Sequence, residues 1–141
     1  MLLFIRTLKR ILNFTLLSNI SGLKDLISQF VVAAKDGKSE EDGWAPTAYG
    51  MSKVGISLVT KLHQDIFDQE PEKRNIIINS CCPGNVFTDM SSGKHPNPLT
   101  PDEGADTPTY LALIPQDATE PKGKFCKLRK PVPYPPIYSK K

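Results

Sequence analysis

Apolar residues recur every three or four positions in two stretches of the chain, which is the spacing of a helix that buries one face. The apolar positions of the first stretch are Leu23, Leu26, Ile27, Phe30 and Ala34. Gly37 follows them and is typical of the position just after a helix. The apolar positions of the second stretch are Val54, Leu58, Val59, Leu62 and Ile66. This pattern predicts a long second helix that ends before Pro71.

Strand patterns and a further helix follow. The run "NIIINSCC" at 75–82 is apolar without alternation, which is typical of a parallel strand covered on both faces. Thr100, Pro101 and Glu103 form a capping box with proline at the first helical position, so we expect a helix from there to about Ile114. The segment "GKFCKL" at 123–128 predicts one more short strand. Helices and strands that alternate in this way indicate an α/β fold.

Composition narrows the possible functions. The 141 residues are 39% hydrophobic and 23% charged, which is ordinary for a globular domain. The net charge of +3 is small and the basic residues are dispersed, so we expect no nucleic-acid partner. No segment is long and uncharged enough to cross a bilayer, so we expect no membrane partner. Cys81, Cys82 and Cys126 lack the spacing of a disulfide framework or a zinc site, which favours a cytoplasmic location and no bound metal.

A tyrosine and a lysine lie four residues apart at the start of the second predicted helix. On a helix, Tyr49 and Lys53 would share one face, one above the other. A free phenol is a poor acid at neutral pH, but a nearby ammonium favours its ionised form. Such a tyrosine can give a proton to a carbonyl oxygen while hydride arrives at the carbon. The pair also fits an ordinary helix surface, so the spacing alone leaves both interpretations open.

The predicted buried strand leads into a second candidate site, "CCPGNVFTDM". Ligands of open α/β sheets bind beyond the carboxyl ends of the strands. Pro83 turns the chain there, and Gly84 permits close approach of a ligand to the backbone. Val86 and Thr88 offer backbone N–H groups and a hydroxyl, which suit a carboxamide or a phosphate. The alternative is an ordinary turn after a strand.

Three blocks of sequence together carry a resemblance to a known family. The blocks "GWAPTAYGMSKVGIS", "INSCCPGNVFTDM" and "PDEGADTPTYLAL" closely resemble the C-terminal half of the NADPH-dependent carbonyl reductases, which belong to the short-chain dehydrogenase/reductase superfamily. The resemblance runs from about Ile20 to Leu128. It implies an α/β fold that is the C-terminal portion of a Rossmann-like, doubly wound parallel sheet, truncated on its N-terminal side. Residues 1–19 stay unassigned, and 129–141 are predicted to form an irregular basic, proline-rich tail.

The resemblance also implies roles for single residues. By it, Tyr49 is the catalytic acid/base, and Lys53 assists it while both contact the nicotinamide ribose of the cofactor. The loop residues that would hold the nicotinamide end of NADPH are Pro83, Gly84, Val86 and Thr88. The implied reaction is reduction of small ketones, aldehydes or quinones with NADPH. Such reductases are mostly monomeric.

Several family features are missing. None of the nine glycines forms the turn G-x-x-x-G-x-G that seats the cofactor pyrophosphate. At the position of the catalytic serine the resemblance places Leu16, with Thr15 beside it. Asn85 replaces an aromatic residue and Phe87 a basic one. We therefore expect this chain to be half an enzyme and inactive by itself.

Two alternatives to a reductase stay open. One is a non-catalytic interaction fragment, and the other is a splice or gene-model fragment of a carbonyl reductase. A truncated sheet exposes a strand edge and apolar faces. We expect the isolated chain to be marginally stable, and to aggregate or to pair with a partner through that edge.

Overall fold

The structure is a computed structural model and describes residues 19–44, 47–72, 74–91, 96–115 and 117–133. Within these ranges the chain forms three helices and one three-stranded sheet. In chain order the elements are α1 (Ile20–Lys35), α2 (Ala48–Gln69), β1 (Ser80–Cys82), α3 (Pro101–Ala112), β2 (Phe125–Lys127) and β3 (Lys130–Val132). The predicted α/β class is confirmed. The positions of Thr15 and Leu16, and the tail beyond residue 133, lie outside the described residues.

The main core lies between α1 and α2. Its buried members are Leu23, Leu26, Phe30, Ala33, Trp44, Met51, Leu58 and Leu62. The Phe30 and Trp44 rings meet edge to face with centroids 5.8 Å apart, which closes the core beside the loop between the helices. Within α1 the buried alanine is Ala33, whereas the predicted Ala34 is exposed. The buried face of α1 therefore includes Leu26 and Ala33, which are two turns apart.

The buried positions predicted for α2 are confirmed in the middle of the helix and wrong near its C-terminal end. Leu58 and Leu62 are buried as predicted, but Ile66 is 50% exposed. The reason is the length of α1. Ile27 is the side chain nearest to Gly55 of α2, and α1 extends only seven or eight residues to either side of Ile27. Ile66 is eleven residues from Gly55, so it has no α1 residue to pack against.

A second face of α2 is buried and polar, which the sequence pattern did not reveal. Its residues are Ser57, Thr60 and Gln64. The two hydroxyls donate to helix carbonyls one turn back, at 3.1 Å from Lys53 O and 3.1 Å from Ile56 O, and so need no other partner.

The side-chain amide of Gln64 binds the chain that enters β1. Its Oε1 accepts a hydrogen bond from Ile78 N at 2.7 Å, and its Nε2 donates to Ile76 O at 3.1 Å. A Cβ added at Gly123 would lie 3.2 Å from the Gln64 side chain, so the approach to β2 also packs on it. One buried amide therefore joins α2 to the beginning of both parallel strands.

The parallel strand is shorter than predicted. β1 covers only Ser80–Cys82, and the isoleucines before it are half-buried rather than covered on both faces. In the residues just before β1, hydrogen bonds from a side chain take the place of some of the backbone hydrogen bonds between strands. Asn79 Nδ2 donates to Pro121 O at 2.7 Å, and Asn79 Oδ1 accepts from Lys124 N at 2.9 Å.

The sheet order is β1-β2-β3. β1 and β2 are parallel, and α3 lies between them in the chain. β1 is therefore an edge strand within the described sheet, with α2 and α3 both in contact with it. β2 and β3 are antiparallel. β3 lies inside the segment predicted to be an irregular tail, so that prediction is wrong for residues 130–132.

The turn between β2 and β3 consists of Leu128 and Arg129, both with left-handed backbone (φ 51° and 61°). Two such residues make the turn that matches the twist of a tight hairpin. Arg129 N donates to Thr107 Oγ1 of α3 at 3.2 Å, and its guanidinium forms a two-pronged ion pair with Asp106. Hydrogen bonding from the Arg129 guanidinium lowers the pKa of the Asp106 carboxyl. Contacts to α3 thus hold a turn that lacks glycine.

We predict that Gln64→Met destabilises the chain by about 1–3 kcal/mol, because Ile78 N–H and Ile76 C=O then lose their partner in a partly buried place. Methionine keeps the volume of the side chain but removes both of these hydrogen bonds and a third, from Gln64 Nε2 to Asp68 Oδ1. Urea unfolding followed by circular dichroism measures the change. Gln69→Met, at the exposed last residue of α2, is the matched control and should change stability by less than about 0.5 kcal/mol. Equal effects of the two substitutions would contradict the role given to Gln64.

Candidate active site

The tyrosine–lysine pair lies in the first turns of α2. Thr47 is the N-cap, and its Oγ1 accepts from Gly50 N at 3.0 Å. Met51, two residues after Tyr49, is buried in the core and fixes which face of this turn points outward. Tyr49 is therefore 72% exposed, and Lys53 Nζ lies 5.3 Å from the centroid of its ring. The structure brings the two predicted side chains together.

Gln64 places α2 beside the chain that enters β1. It binds Ile76 and Ile78, which lead into β1, and α2 also contacts β1 itself. Tyr49 is fifteen residues before Gln64, or about 22 Å along a helix. The tyrosine–lysine pair is therefore about four helical turns from the Gln64 contact.

The loop at residues 83–88, which we call the Pro-Gly loop, is held by Leu99. Phe87 N donates to Leu99 O, and Leu99 N donates to Asn85 O, each at 2.8 Å. Gly84 has φ 90°, and a Cβ there would lie 2.8 Å from Leu99 Cδ1. The backbone angle favours glycine at this position, and the end of the Leu99 side chain lies where a Cβ would be.

Ser91 uses most of the hydrogen-bonding capacity of Thr88. Thr88 N donates to Ser91 Oγ at 3.0 Å, and the two hydroxyl oxygens are 3.1 Å apart. Ser91 Oγ also donates to Val86 O. By contrast, the Val86 N–H meets no acceptor among the residues that the structure describes. Sequence reasoning missed Ser91, although a threonine and a serine three residues apart are a known signal for a local turn.

The first turn of α3 packs against the Pro-Gly loop. The capping box is confirmed: Thr100 N donates to Glu103 Oε2 at 2.7 Å, and Glu103 N donates to Thr100 Oγ1 at 3.2 Å. The bond from the Thr100 backbone, followed by that from its hydroxyl, lowers the pKa of the Glu103 carboxyl. A Cβ at Gly104 would lie 2.3 Å from Val86 Cγ2. Because Gly104 has no side chain, the Val86 side chain can occupy the space beside it.

Tyr49 lies on an exposed part of α2. A surface depression of about 370 Å³ lies between α3 and the hairpin, and another of about 290 Å³ lies near the end of α2. Neither is lined by Tyr49, Lys53 or the Pro-Gly loop. In the same residues no group of three or more His, Cys, Asp and Glu side chains is placed to hold a metal ion. None of the helices described is long and apolar enough to cross a membrane.

The described elements form an α/β fold that is consistent with part of a Rossmann-like sheet. No protein-family model matches the chain, but individual curated proteins do match it. It is 42% identical over 105 residues to NADPH carbonyl reductase 3 of Rattus norvegicus, a match that covers 74% of this chain and 37% of that protein. The human NADPH carbonyl reductase 3 is 43% identical over 103 residues, and the human NADPH carbonyl reductase 1 is 40% identical over 103 residues.

The resemblance to the carbonyl reductases is therefore confirmed for about three quarters of the chain (73% for both human proteins). The chain spans a little over a third of the length of these relatives (36–37%). Any continuous stretch of 103 residues in a chain of 141 contains residues 39–103. The similar region thus includes the tyrosine–lysine pair and the whole Pro-Gly loop. The individual roles of these residues stay predictions.

We predict that Gly104→Ala destabilises the chain by about 1–3 kcal/mol, because the new methyl group overlaps the Val86 side chain and the loop must shift. Gly55→Ala is the matched control. Gly55 is also in a helix, but its Cβ would meet only the end of the Ile27 side chain at an ordinary 3.4 Å. Because alanine favours helix, that substitution should be neutral or stabilising by up to about 1 kcal/mol.

Urea unfolding of both variants measures the difference. Shortening the obstructing side chain tests its cause: Val86→Ala should recover part of the stability lost in Gly104→Ala. If the two substitutions add independently, the contact between them is not the reason.

Proposed function

We propose that this chain carries the proton-donating portion of an NADPH-dependent carbonyl reductase that acts on small ketones, aldehydes or quinones. The observation that carries the proposal is the Tyr49–Lys53 pair, exposed at the first turns of α2 inside the region similar to the carbonyl reductases. We further propose that the pair and the Pro-Gly loop lie together at the carboxyl end of β1, because ligands of open α/β sheets bind at that end.

The proposed work of the pair is proton transfer. Tyr49 Oη donates a proton to the carbonyl oxygen of the substrate, and the oxygen becomes a hydroxyl. A phenolate is left on Tyr49. The ammonium of Lys53, 5.3 Å from the ring centroid, stabilises this negative charge and so makes the donation easier.

NADPH is the proposed cofactor, and when bound it supplies hydride for the carbonyl carbon. Lys53 would hold its nicotinamide ribose, and the Pro-Gly loop would hold the nicotinamide end. The Val86 N–H, which meets no acceptor among the described residues, fits a carboxamide oxygen. Thr88 fits less well, because Ser91 already binds its N–H and its hydroxyl. To bind the cofactor, the Thr88 N–H would have to leave Ser91, whereas the Thr88 hydroxyl can make a further hydrogen bond.

A second candidate is a non-catalytic interaction fragment, and the free edge of β1 favours it. Two helices, α2 and α3, contact β1, while one edge of β1 has no partner strand in the described sheet. Such an edge can take up an extended strand from another chain. A chimera in which a carbonyl reductase supplies the missing glycine-rich turn separates the candidates, because an interaction fragment has no reason to restore turnover there. The cytoplasmic location stays a prediction from the free cysteines.

We predict negligible reductase activity for a polypeptide of these 141 residues assayed alone with NADPH and a reactive quinone. Its sequence has no glycine-rich turn for the pyrophosphate, so the hydride donor is not held in place. Such positioning can be worth ~7–11 kcal/mol of the barrier. Turnover that is lost in Tyr49→Phe would overturn this expectation.

A chimera tests the catalytic proposal directly. We predict that rat NADPH carbonyl reductase 3 stays active when residues 20–128 of this chain replace its matching segment. In that chimera, Tyr49→Phe should lower kcat/KM about 10²–10⁴-fold, because the general acid is lost. Ser52→Ala is the control on the same turn: Ser52 is exposed and donates only to Tyr49 O at 2.8 Å. A folded chimera whose activity is the same with and without the Tyr49 hydroxyl would rule out the proposed role.

A further inference from the structure

Two of the three cysteines are direct neighbours across the sheet. Cys81 of β1 and Cys126 of β2 are register partners in the parallel pair. Register partners place their side chains on the same face, and neighbouring strands are about 4.8 Å apart. Disulfides span Cα separations of about 4.4–6.8 Å. Cys82, whose register partner is Lys127, lies on the opposite face.

We propose that Cys81 and Cys126 form a site of reversible oxidation, at which exchange with a low-molecular-weight disulfide produces a bond between β1 and β2. The proposal concerns the folded chain itself and does not depend on the reductase activity. The adjacency of Cys81 and Cys82 in the sequence gives no hint of it, because the relevant neighbour is forty-five residues further along.

The exchange takes two steps. The Cys81 sulfur, as thiolate, attacks one sulfur of the small disulfide, which forms a mixed disulfide and releases one small thiolate. The Cys126 thiolate then attacks the Cys81 sulfur of the mixed disulfide and releases the second small thiolate. The two cysteines lose two protons and two electrons, and the small disulfide becomes two thiols. Added dithiol reverses the reaction.

The burial of the two thiols sets the order of the steps. Cys81 is half-buried and can be reached first, whereas Cys126 is 0% exposed and reacts only with a neighbour. In the described sheet β1 is an edge strand with a strand partner on one edge only, whereas β2 has strand partners on both. The small adjustment that a disulfide requires can therefore come from β1, while β2 stays fixed between its two neighbours.

The surroundings make the reaction slow at neutral pH. Burial, and then the neighbouring Cys82, raises the pKa of the Cys81 thiol. Burial also raises the pKa of the Cys126 thiol, followed by the effects of Cys81 and Glu120. Since only the thiolate attacks, the rate should rise about tenfold per pH unit below these pKa values.

The test is oxidation of the folded chain with 2-hydroxyethyl disulfide at pH 8, followed by a non-reducing gel and tryptic mass spectrometry of the monomer band. We expect a linked pair of peptides, residues 75–94 joined to residues 125–127. Because the first peptide contains both Cys81 and Cys82, variants identify the partner. In Cys82→Ser the linked pair should persist within about twofold, and in Cys81→Ser it should fall about tenfold or more.

Unfolding provides the control. In 8 M urea the sheet no longer selects a partner, so Cys81→Ser and Cys82→Ser should give similar amounts of the linked pair. Equal amounts of that product from the two variants in native buffer would overturn the proposal, as would its absence from both the unmodified chain and Cys82→Ser.

Discussion

The side-chain amide of Gln64 is the contact on which the arrangement of helix and sheet depends. Its two hydrogen bonds replace strand partners for Ile76 and Ile78, and they do so inside a helix–sheet interface where an unpaired amide would be costly. Because a helix is rigid, the hydrogen bonds that hold Gln64 in place also restrict the position of Tyr49, which lies about four turns away on α2. The position of the exposed tyrosine is thus set from the opposite end of its helix, by a residue that takes no part in chemistry.

The Pro-Gly loop is fixed in a different way, by close packing at two glycines. Gly84 accommodates Leu99, and Gly104 accommodates Val86, so the loop is held between its own continuation and the first turn of α3. Little of this arrangement uses charge. Among the described residues the Val86 N–H of this loop meets no acceptor, whereas Ser91 binds the N–H and the hydroxyl of Thr88.

Features that depend on neighbouring residues in the sequence could be predicted, and features that depend on distant ones could not. The capping box at Thr100 and the end of α1 before Gly37 follow from local bonds, and the structure has them as predicted. Ile66 was wrongly placed in the core because its burial depends on where α1 begins and ends. The isoleucines before β1 read as a long strand, but Gln64 and Asn79 take over the bonds of the ladder. The strand β3 was missed because its turn depends on Asp106 and Thr107, about twenty residues earlier.

That turn has a consequence for the order in which the structure forms. Leu128 and Arg129 are both in a backbone conformation that costs roughly 1–2 kcal/mol for a residue with a side chain. The compensating bonds come from α3: the Asp106 carboxylate, the Thr107 hydroxyl and the Tyr110 ring, whose centroid is 5.6 Å from the guanidinium carbon. The hairpin is therefore conditional on α3. During synthesis from the N-terminus α3 emerges first, so the template for the turn exists before the residues that need it.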